Sequence, residues 1–367
     1  MAAPGQVPSE RAPRRRYLDW LRGLAVVIMI GAHILDSWTR LGDRQLLLYK
    51  WSMILGGFGA PLFLLLAGVA VPLSAGSKSR RTGQASGASR AVVRRGLEVF
   101  GLAFLFRVQA WAVSWGSPRS LLKVDILNIM GPGIMAAAAL WGLFRSSRAR
   151  AIAFVAAALA MSLFTPAIRT TGILDFLPDA IEAYIRPRPG YTTFAIFPWA
   201  GFLFAGAFLG VLLDDARTGQ AEKTVNFRFG ITGMLLAVAA YAGSFLPSLY
   251  AQSQFWTSSP SFFLLRAGIL MALVSLVYGV KSGVSRETFS PFEQLGRTSL
   301  FIYWIHVEMI YGLIAKPLHK ALSLEQSLTA CLIFGLFMLV CSLLKDRVVA
   351  WWRARSQPTM KNVPSAI

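Results

Sequence analysis

The sequence predicts an all-α, polytopic integral membrane protein with about ten transmembrane helices and both termini in the cytoplasm. Three observations predict this class. Apolar runs of about 20 residues recur along the 367-residue chain, and a helix of that length crosses the hydrocarbon core of a bilayer. Charged residues make up only 15% of the chain, against about 25% in soluble domains. Lysine and arginine residues collect on one side of the predicted topology.

The predicted spans follow the apolar runs in order. They cover residues 18–38, 50–74, 94–114, 122–143, 151–168, 193–213, 228–247, 262–280, 296–315 and 327–344. Residues 1–16 are rich in proline, alanine and arginine, and we expect them to form a disordered basic cytoplasmic tail. Residues 17–345 are expected to form one transmembrane domain, and residues 346–367 a second basic cytoplasmic tail.

The net charge of +20, from 37 Lys+Arg against 17 Asp+Glu, is explained by this topology. Segments on the predicted cytoplasmic side hold 24 of the 37 basic residues, and the opposite side holds ten. That asymmetry is the usual orientation signal of membrane proteins. Because no nucleic-acid-binding motif is present, no nucleic acid partner is expected. The lipid bilayer is the expected partner, in a plasma membrane such as a bacterial inner membrane, and a homo-oligomer stays open.

The two cysteines do not predict a metal site or a disulfide. Cys331 and Cys341 lie in one predicted helix, about 15 Å apart along its axis, which is too far for a disulfide. The chain has no CxxC pair and no Cys/His cluster. No metal cofactor is therefore expected.

The first span carries four ionisable residues on one helical face. Asp19, Arg22, His33 and Asp36 fall within about 100° of one another at 100° per residue, and Arg22 and His33 are about 16 Å apart along the axis. Such residues cost about 2.5–3.5 kcal/mol each on insertion, so they pair or line a cavity. Either this face packs against polar partners, or it lines a polar channel across the membrane.

His33 is the strongest candidate for a reactive group, because the chain has only three histidines and histidine is the commonest general base. Asp36 lies one turn further and is placed to orient the His33 ring. His306 is either a second site residue or a histidine satisfied within the core. It does not face Glu308, because residues two apart point to different sides of a helix.

Further polar residues lie in or near the other spans. Arg107 is in the middle of a span and needs a partner, for which Asp125 is a candidate. Asp125 and Asn128 are three residues apart in the fourth predicted span, so they share one helical face and are expected to line the same cavity.

Four segments also match a family pattern in order along the chain. They are Asp19–Ala25 with Met29 and His33, Val124–Gly131, Phe197–Trp199 with Gly201, Gly206 and Gly210, and Leu295–His306. Together they resemble the heparan-α-glucosaminide N-acetyltransferase family of transmembrane acyltransferases, over residues 14 to about 315. Arg22 and His33 are also similar to the spaced arginine and histidine of the related acyltransferase-3 proteins.

The resemblance implies an acyl-CoA-dependent acyltransferase. Its members move an acyl group, here an acetyl group, from cytosolic acyl-CoA to a hydroxyl or amine of a glycan-type acceptor across the membrane. Acetyl-CoA is the implied co-substrate, with Arg22 and Arg297 as its binding residues and Arg94 and Arg95 nearby. His33 is implied to act as general base, with Asp36 stabilising the imidazolium, or to carry the acyl group itself. The expected channel residues are Asp19, Asp125, Asn128 and His306.

Two other functions remain open at this point. Intramembrane histidine, aspartate and arginine also serve proton-coupled transporters and flippases of small polar or lipid-linked substrates. Such carriers favour inverted repeats, and the sequence contains no evident repeat. The chain could also be a non-catalytic membrane partner in a biosynthetic complex. Transfer from labelled acetyl-CoA distinguishes the enzyme from both alternatives.

Overall fold

The computed structural model describes residues 14–114, 117–283 and 288–356, which form fourteen α-helices and no strand beyond two single bridges. The helices are α1 (Arg16–Trp38), α2 (Leu47–Gly56), α3 (Gly59–Thr82), α4 (Ala85–Ser114), α5 (Ile126–Leu143), α6 (Ser147–Leu163), α7 (Thr165–Thr170), α8 (Asp179–Ile185), α9 (Ile196–Asp215), α10 (Gly219–Gly243), α11 (Pro260–Ser282), α12 (Pro291–Arg297), α13 (Ser299–Tyr311) and α14 (Leu324–Ser356). The predicted all-α class is confirmed.

Nine helical segments in these ranges are long and apolar enough to cross a membrane. They are α1, α2 continued by α3, α4, α5, α6 continued by α7, α9, α10, α11 and α14. The protein is therefore a polytopic membrane protein, with nine such segments where the sequence predicted about ten.

The difference lies at the predicted span 296–315, where two helices meet at Thr298. Thr298 follows the last residue of α12, and its hydroxyl donates a hydrogen bond of 3.1 Å back to the Gln294 carbonyl of that helix. The 13 residues of α13 rise about 20 Å, which is short of the roughly 30 Å of the hydrocarbon core. The chain then continues in a 3₁₀ turn over Leu313–Leu318. This apolar run is thus a broken element and not one continuous helix, but α13 still runs from the side of the bundle near Arg22, where Ser299 lies, to the side near His33, where Tyr311 lies.

Glycines bring the central helices into backbone contact. A Cβ atom on Gly68 of α3 would lie 1.9 Å from the Leu203 carbonyl oxygen of α9, and one on Gly296 of α12 would lie 1.8 Å from the Asp19 carbonyl oxygen of α1. Only glycine permits such close approach. Because α12 is fixed against the first turns of α1, Arg297 is held near Arg22.

The two ends of the bundle are named here after residues of α1: the Arg22 end, where α1 begins, and the His33 end, where it finishes. Helix α14 continues as far as Ser356, so the described part of the predicted tail 346–367 is helical. Residues 1–13 and 357–367 of the two predicted tails lie outside the described residues.

Candidate active site

Two histidines from distant parts of the chain are paired inside the bundle. His33 Nδ1 lies 3.1 Å from His306 Nε2, and the two rings are stacked with centroids 5.2 Å apart and planes inclined by 3°. His306 is fully buried, and its Nδ1 lies 2.8 Å from the Ile302 carbonyl oxygen. The contact joins the second half of α1 to α13.

This arrangement determines the tautomers of the neutral rings. A carbonyl oxygen only accepts, so His306 Nδ1 carries the proton and donates to Ile302, which leaves His306 Nε2 as an acceptor. His33 Nδ1 then donates to His306 Nε2. His33 Nε2 is therefore unprotonated, and none of the described residues donates a hydrogen bond to it. A lone pair on an otherwise immobilised ring is what a general base requires.

His33 lines a cavity of about 640 Å³ at the His33 end, called here the reaction cavity. Helices α1, α2, α4, α9 and α13 contribute to its wall, together with the starts of α3 and α5. Its ionisable lining residues are His33, Asp36, Arg107, Lys123, Asp125, Tyr303, Glu308 and Tyr311. The volume is large enough for a sugar-sized group beside the imidazole.

Asp36 lines this cavity, but its carboxylate contacts groups other than His33. It accepts a 3.0 Å hydrogen bond from the Tyr311 hydroxyl and lies 3.9 Å from an Arg44 guanidinium nitrogen. The Tyr311 ring in turn meets the His33 ring edge-on, with centroids 5.4 Å apart. In this geometry His306 orients the His33 ring, while Asp36 lies one contact away through Tyr311.

Arg107 and Asp125 form an ion pair in the wall of the same cavity, at 2.5 Å, and the candidate partner suggested by the sequence is thus found. The Asp125 carboxylate also accepts from the Leu127 amide, so it caps α5. Asn128 completes this capping box and donates to the Tyr184 hydroxyl at 3.1 Å. Asn128 is buried and absent from the cavity lining, so it supports Asp125 from behind.

Lys123 precedes α5 and extends into the reaction cavity. Burial lowers the pKa of its ammonium, and the neighbouring Arg107 cation lowers it further. A lysine in such surroundings gives up its proton more readily than one in water. Neither Lys123 nor Glu308 and Tyr311, which also line the cavity, were singled out from the sequence, since single polar residues at span ends are common.

A second cavity, of about 310 Å³, lies at the Arg22 end and is called here the basic cavity. Its cationic lining residues are Arg14, Arg22, Arg95, Arg297 and Lys345. Thr298, Ser299 and Leu300 also line it, so the N-terminus of α13 opens onto it. The two predicted donor-binding arginines, Arg22 and Arg297, are thus brought together. Arg94 does not line this cavity and pairs with Glu98 at 3.8 Å.

Asp19 supports the basic cavity from its edge. Its buried carboxylate accepts from Arg22 at 2.8 Å and from Arg14 at 2.5 Å. Two guanidinium groups are thereby held in place by one carboxylate that does not itself line the cavity. Asp19 therefore positions cations and lies away from the reaction cavity.

The two cavities lie at opposite ends of the polar face of α1 and share no lining residue. Their α1 residues, Arg22 and His33, are separated by about 16 Å along the axis. A continuous channel between them stays a prediction. Within the described ranges no three His, Cys, Asp or Glu side chains are grouped to hold a metal ion.

Comparison with known proteins identifies the family. No individually curated protein matches the chain significantly. The family model described as heparan-alpha-glucosaminide N-acetyltransferase, catalytic, matches residues 14–243, well over half of the chain and including α1 with Arg22 and His33. The chain therefore belongs to the heparan-alpha-glucosaminide N-acetyltransferase catalytic-domain family.

Proposed function

We propose that this membrane enzyme transfers the acetyl group of acetyl-CoA, bound at the basic cavity, to a hydroxyl or amine of a glycan-type acceptor in the reaction cavity. Family membership supports an acetyltransferase-type enzyme. The observation that carries the proposal is the His33–His306 pair, which leaves an unprotonated His33 Nε2 at a sugar-sized cavity.

The charge of the basic cavity supports it as the donor site. Coenzyme A carries phosphate groups, and phosphates bind best where several guanidinium groups and a helix N-terminus converge. The basic cavity offers four arginines, one lysine and the start of α13. From there the pantetheine arm would extend along α1, so that the thioester approaches His33, about 16 Å away.

The chemistry follows from the tautomer. The acceptor oxygen or nitrogen attacks the thioester carbon while its proton passes to His33 Nε2, and the C–S bond then breaks. The departing thiolate takes the same proton back from His33 Nε2, which regenerates the neutral ring. His306 Nε2 accepts from His33 Nδ1 throughout, so the imidazolium keeps its orientation. An acyl-histidine formed at Nε2 would use the same contacts.

The orientation of the protein belongs to the proposal as well. The broken element of α12 and α13 counts as a tenth crossing beside the nine long segments, so both termini lie in the cytoplasm. The basic cavity then faces the cytosolic acetyl-CoA pool, and the reaction cavity opens on the opposite side of the plasma membrane. The excess of basic residues at the Arg22 end supports this orientation.

Transfer from radiolabelled acetyl-CoA to amino sugars and glycans by the purified protein in lipid nanodiscs tests the proposal. His33→Ala should lower the turnover about 10²- to 10⁴-fold, the usual contribution of a general base, while acetyl-CoA binding persists. The matched control is His319→Ala, because His319 contacts the Ile310 carbonyl and does not line the reaction cavity. Full turnover in His33→Ala would refute the role of His33, and absence of acetyl-CoA binding by the wild type would favour a carrier.

A further inference from the structure

A third cavity adjoins the reaction cavity at the His33 end. It has a volume of about 380 Å³ and lies between the start of α9, the start of α11 and the short helix α7. Gly57, Thr193 and Trp199 line both cavities, so the two are neighbours with a common wall. A group held in the third cavity would be attached to a group held beside His33.

Two arginines without a carboxylate partner line this side cavity. The Nε atoms of Arg169 and Arg266 are buried and have no hydrogen-bond partner among the described residues. Within the same ranges neither guanidinium has an acidic side chain within 4 Å. The other buried or half-buried arginines at this end differ: Arg44, Arg107, Arg186 and Arg188 each have such a carboxylate.

Arg266 is placed at the junction of the two cavities. One of its terminal nitrogens lies 3.0 Å from the position that a Cβ atom on Gly57 would occupy, and Gly57 belongs to both linings. Its guanidinium carbon lies 4.0 Å from the Phe262 ring centroid, and this stacking leaves the in-plane donors free. The free N–H groups of such a stacked guanidinium can bind a carboxylate or a phosphate.

The rest of the lining suits a sugar ring. Trp199, Trp256 and Phe262 present aromatic rings to the cavity, and no acidic residue is among its lining residues. Aromatic faces pack against the apolar C–H faces of a pyranose, while the arginines would take the charge. Both arginines are half-buried, and each has an Nε group that is shielded from solvent and unpaired, so this pattern favours an anion supplied by a ligand.

We propose that this side cavity is a subsite for a carboxylate or phosphate group, carried by the acceptor next to the sugar that is acetylated. Arg169 and Arg266 bind the anion and Trp199 and Trp256 contact the attached ring. The inference rests on the proposed function for the identity of the ligand, but its test is a binding measurement that needs no turnover.

The test compares glucosamine 6-phosphate with glucosamine by isothermal titration calorimetry, on the wild-type chain in phosphatidylcholine nanodiscs. The phosphorylated sugar should bind at least about tenfold more tightly, since a charge-assisted hydrogen bond contributes roughly 1.5–3 kcal/mol. Arg169→Gln and Arg266→Gln should each remove most of this preference. Arg266→Lys, which retains the charge, should keep part of it and guards against loss of folding in Arg266→Gln.

One control variant locates the effect. Arg119→Gln removes an exposed cation at the same end, outside the side cavity. It should keep the full preference. Parallel nanodiscs with equal phosphatidylglycerol and phosphatidylcholine, analysed by native mass spectrometry, test a lipid headgroup as the source of the anion. Retention of phosphatidylglycerol that disappears in Arg169→Gln and Arg266→Gln would assign the subsite to lipid.

The subsite would be overturned if neither the sugar phosphate nor phosphatidylglycerol were preferred. It would also be overturned if a preference survived both arginine substitutions. The outcome is separable from the proposed function. A chain that binds the sugar phosphate through these arginines but transfers no acetyl group would refute only the acetyltransferase mechanism. A chain that transfers acetyl groups equally well to neutral and anionic sugars, with no binding preference, would refute only the subsite.

Discussion

The basic cavity and the reaction cavity lie at the two ends of one helix and differ in how their charges are balanced. Five cations and no described carboxylate line the basic cavity. The reaction cavity instead mixes Arg107 and Lys123 with Asp36, Asp125 and Glu308. A surplus of one sign attracts a polyanion, whereas balanced and mutually bonded charges hold reacting groups in place. Under the proposed function, donor recognition belongs to the basic cavity and the chemistry to the reaction cavity.

The largest effect is expected for the ion pair in the wall of the reaction cavity. Asp125→Asn keeps the cap on α5, because asparagine is an equally good N-cap, but removes the charge that balances Arg107. Breaking one partner of a buried pair costs about 3–5 kcal/mol. We expect a loss of stability of this size in SDS-induced unfolding of the purified protein.

The matched control for that prediction is Asp179→Asn. Asp179 pairs with Arg188 at 2.6 Å, but half of its side chain is exposed. An exposed pair contributes about 1 kcal/mol or less. If both variants lost the same amount of stability, the charges of the reaction cavity would not be a buried, balanced network.

A smaller effect is expected at the basic cavity. Arg22→Gln and Arg297→Gln should each weaken acetyl-CoA binding about 10- to 100-fold, the equivalent of one charge-assisted hydrogen bond. The loss of acetyl-CoA affinity should be smaller at high salt, because salt screens the attraction between solvent-accessible charges. Equilibrium binding of labelled acetyl-CoA measures both effects.

Arg94→Gln is the control variant for the basic cavity. Arg94 lies on the same segment as Arg95 but pairs with Glu98 and does not line the cavity. Its substitution should leave binding within about twofold of the wild type. An equal loss in all three variants would indicate a diffuse basic surface in place of a defined cavity.

The sequence could predict what depends on local periodicity. The shared face of Asp19, Arg22, His33 and Asp36 follows from 3.6 residues per turn, and in the structure this face reaches the basic cavity at one end and the reaction cavity at the other. The apolar runs likewise predicted nine of the crossing segments. The break at Thr298 was missed because the contacts beside it join distant parts of the chain: Gly296 packs against Asp19, and the Thr298 hydroxyl is hydrogen-bonded to that of Ser342.

The partner of His33 could not be predicted for the same reason. His306 is 273 positions away in sequence, and helical spacing only showed that it does not face Glu308. The sequence indicated Asp36, one turn away on α1, as the residue that orients His33. In the structure its carboxylate is hydrogen-bonded to Tyr311 and lies close to Arg44. A local rule can place residues on a face, but the opposite wall of a cavity comes from tertiary packing.

The smallest effect, and the sharpest test of the comparison, is expected for His306. His306→Phe removes the acceptor for His33 Nδ1, so the His33 ring loses one hydrogen bond. Because such a bond contributes roughly 1 kcal/mol, turnover should fall about fivefold. His306→Gln places an amide oxygen near the same position and should recover part of the turnover. Acetyl-CoA binding should be unchanged in both variants, because His306 does not line the basic cavity.

The pH profile separates an orienting role of His306 from a merely structural one. In His306→Phe the freed His33 ring can protonate at either nitrogen, so the pH dependence of kcat should shift as well as its maximum, and in His306→Gln it should return toward the wild-type profile. A merely structural histidine would lower the amount of folded enzyme and leave the profile in place. Equal turnover losses in the two variants with an unshifted profile would separate His306 from the chemistry and leave His33 oriented by some other contact in the cavity.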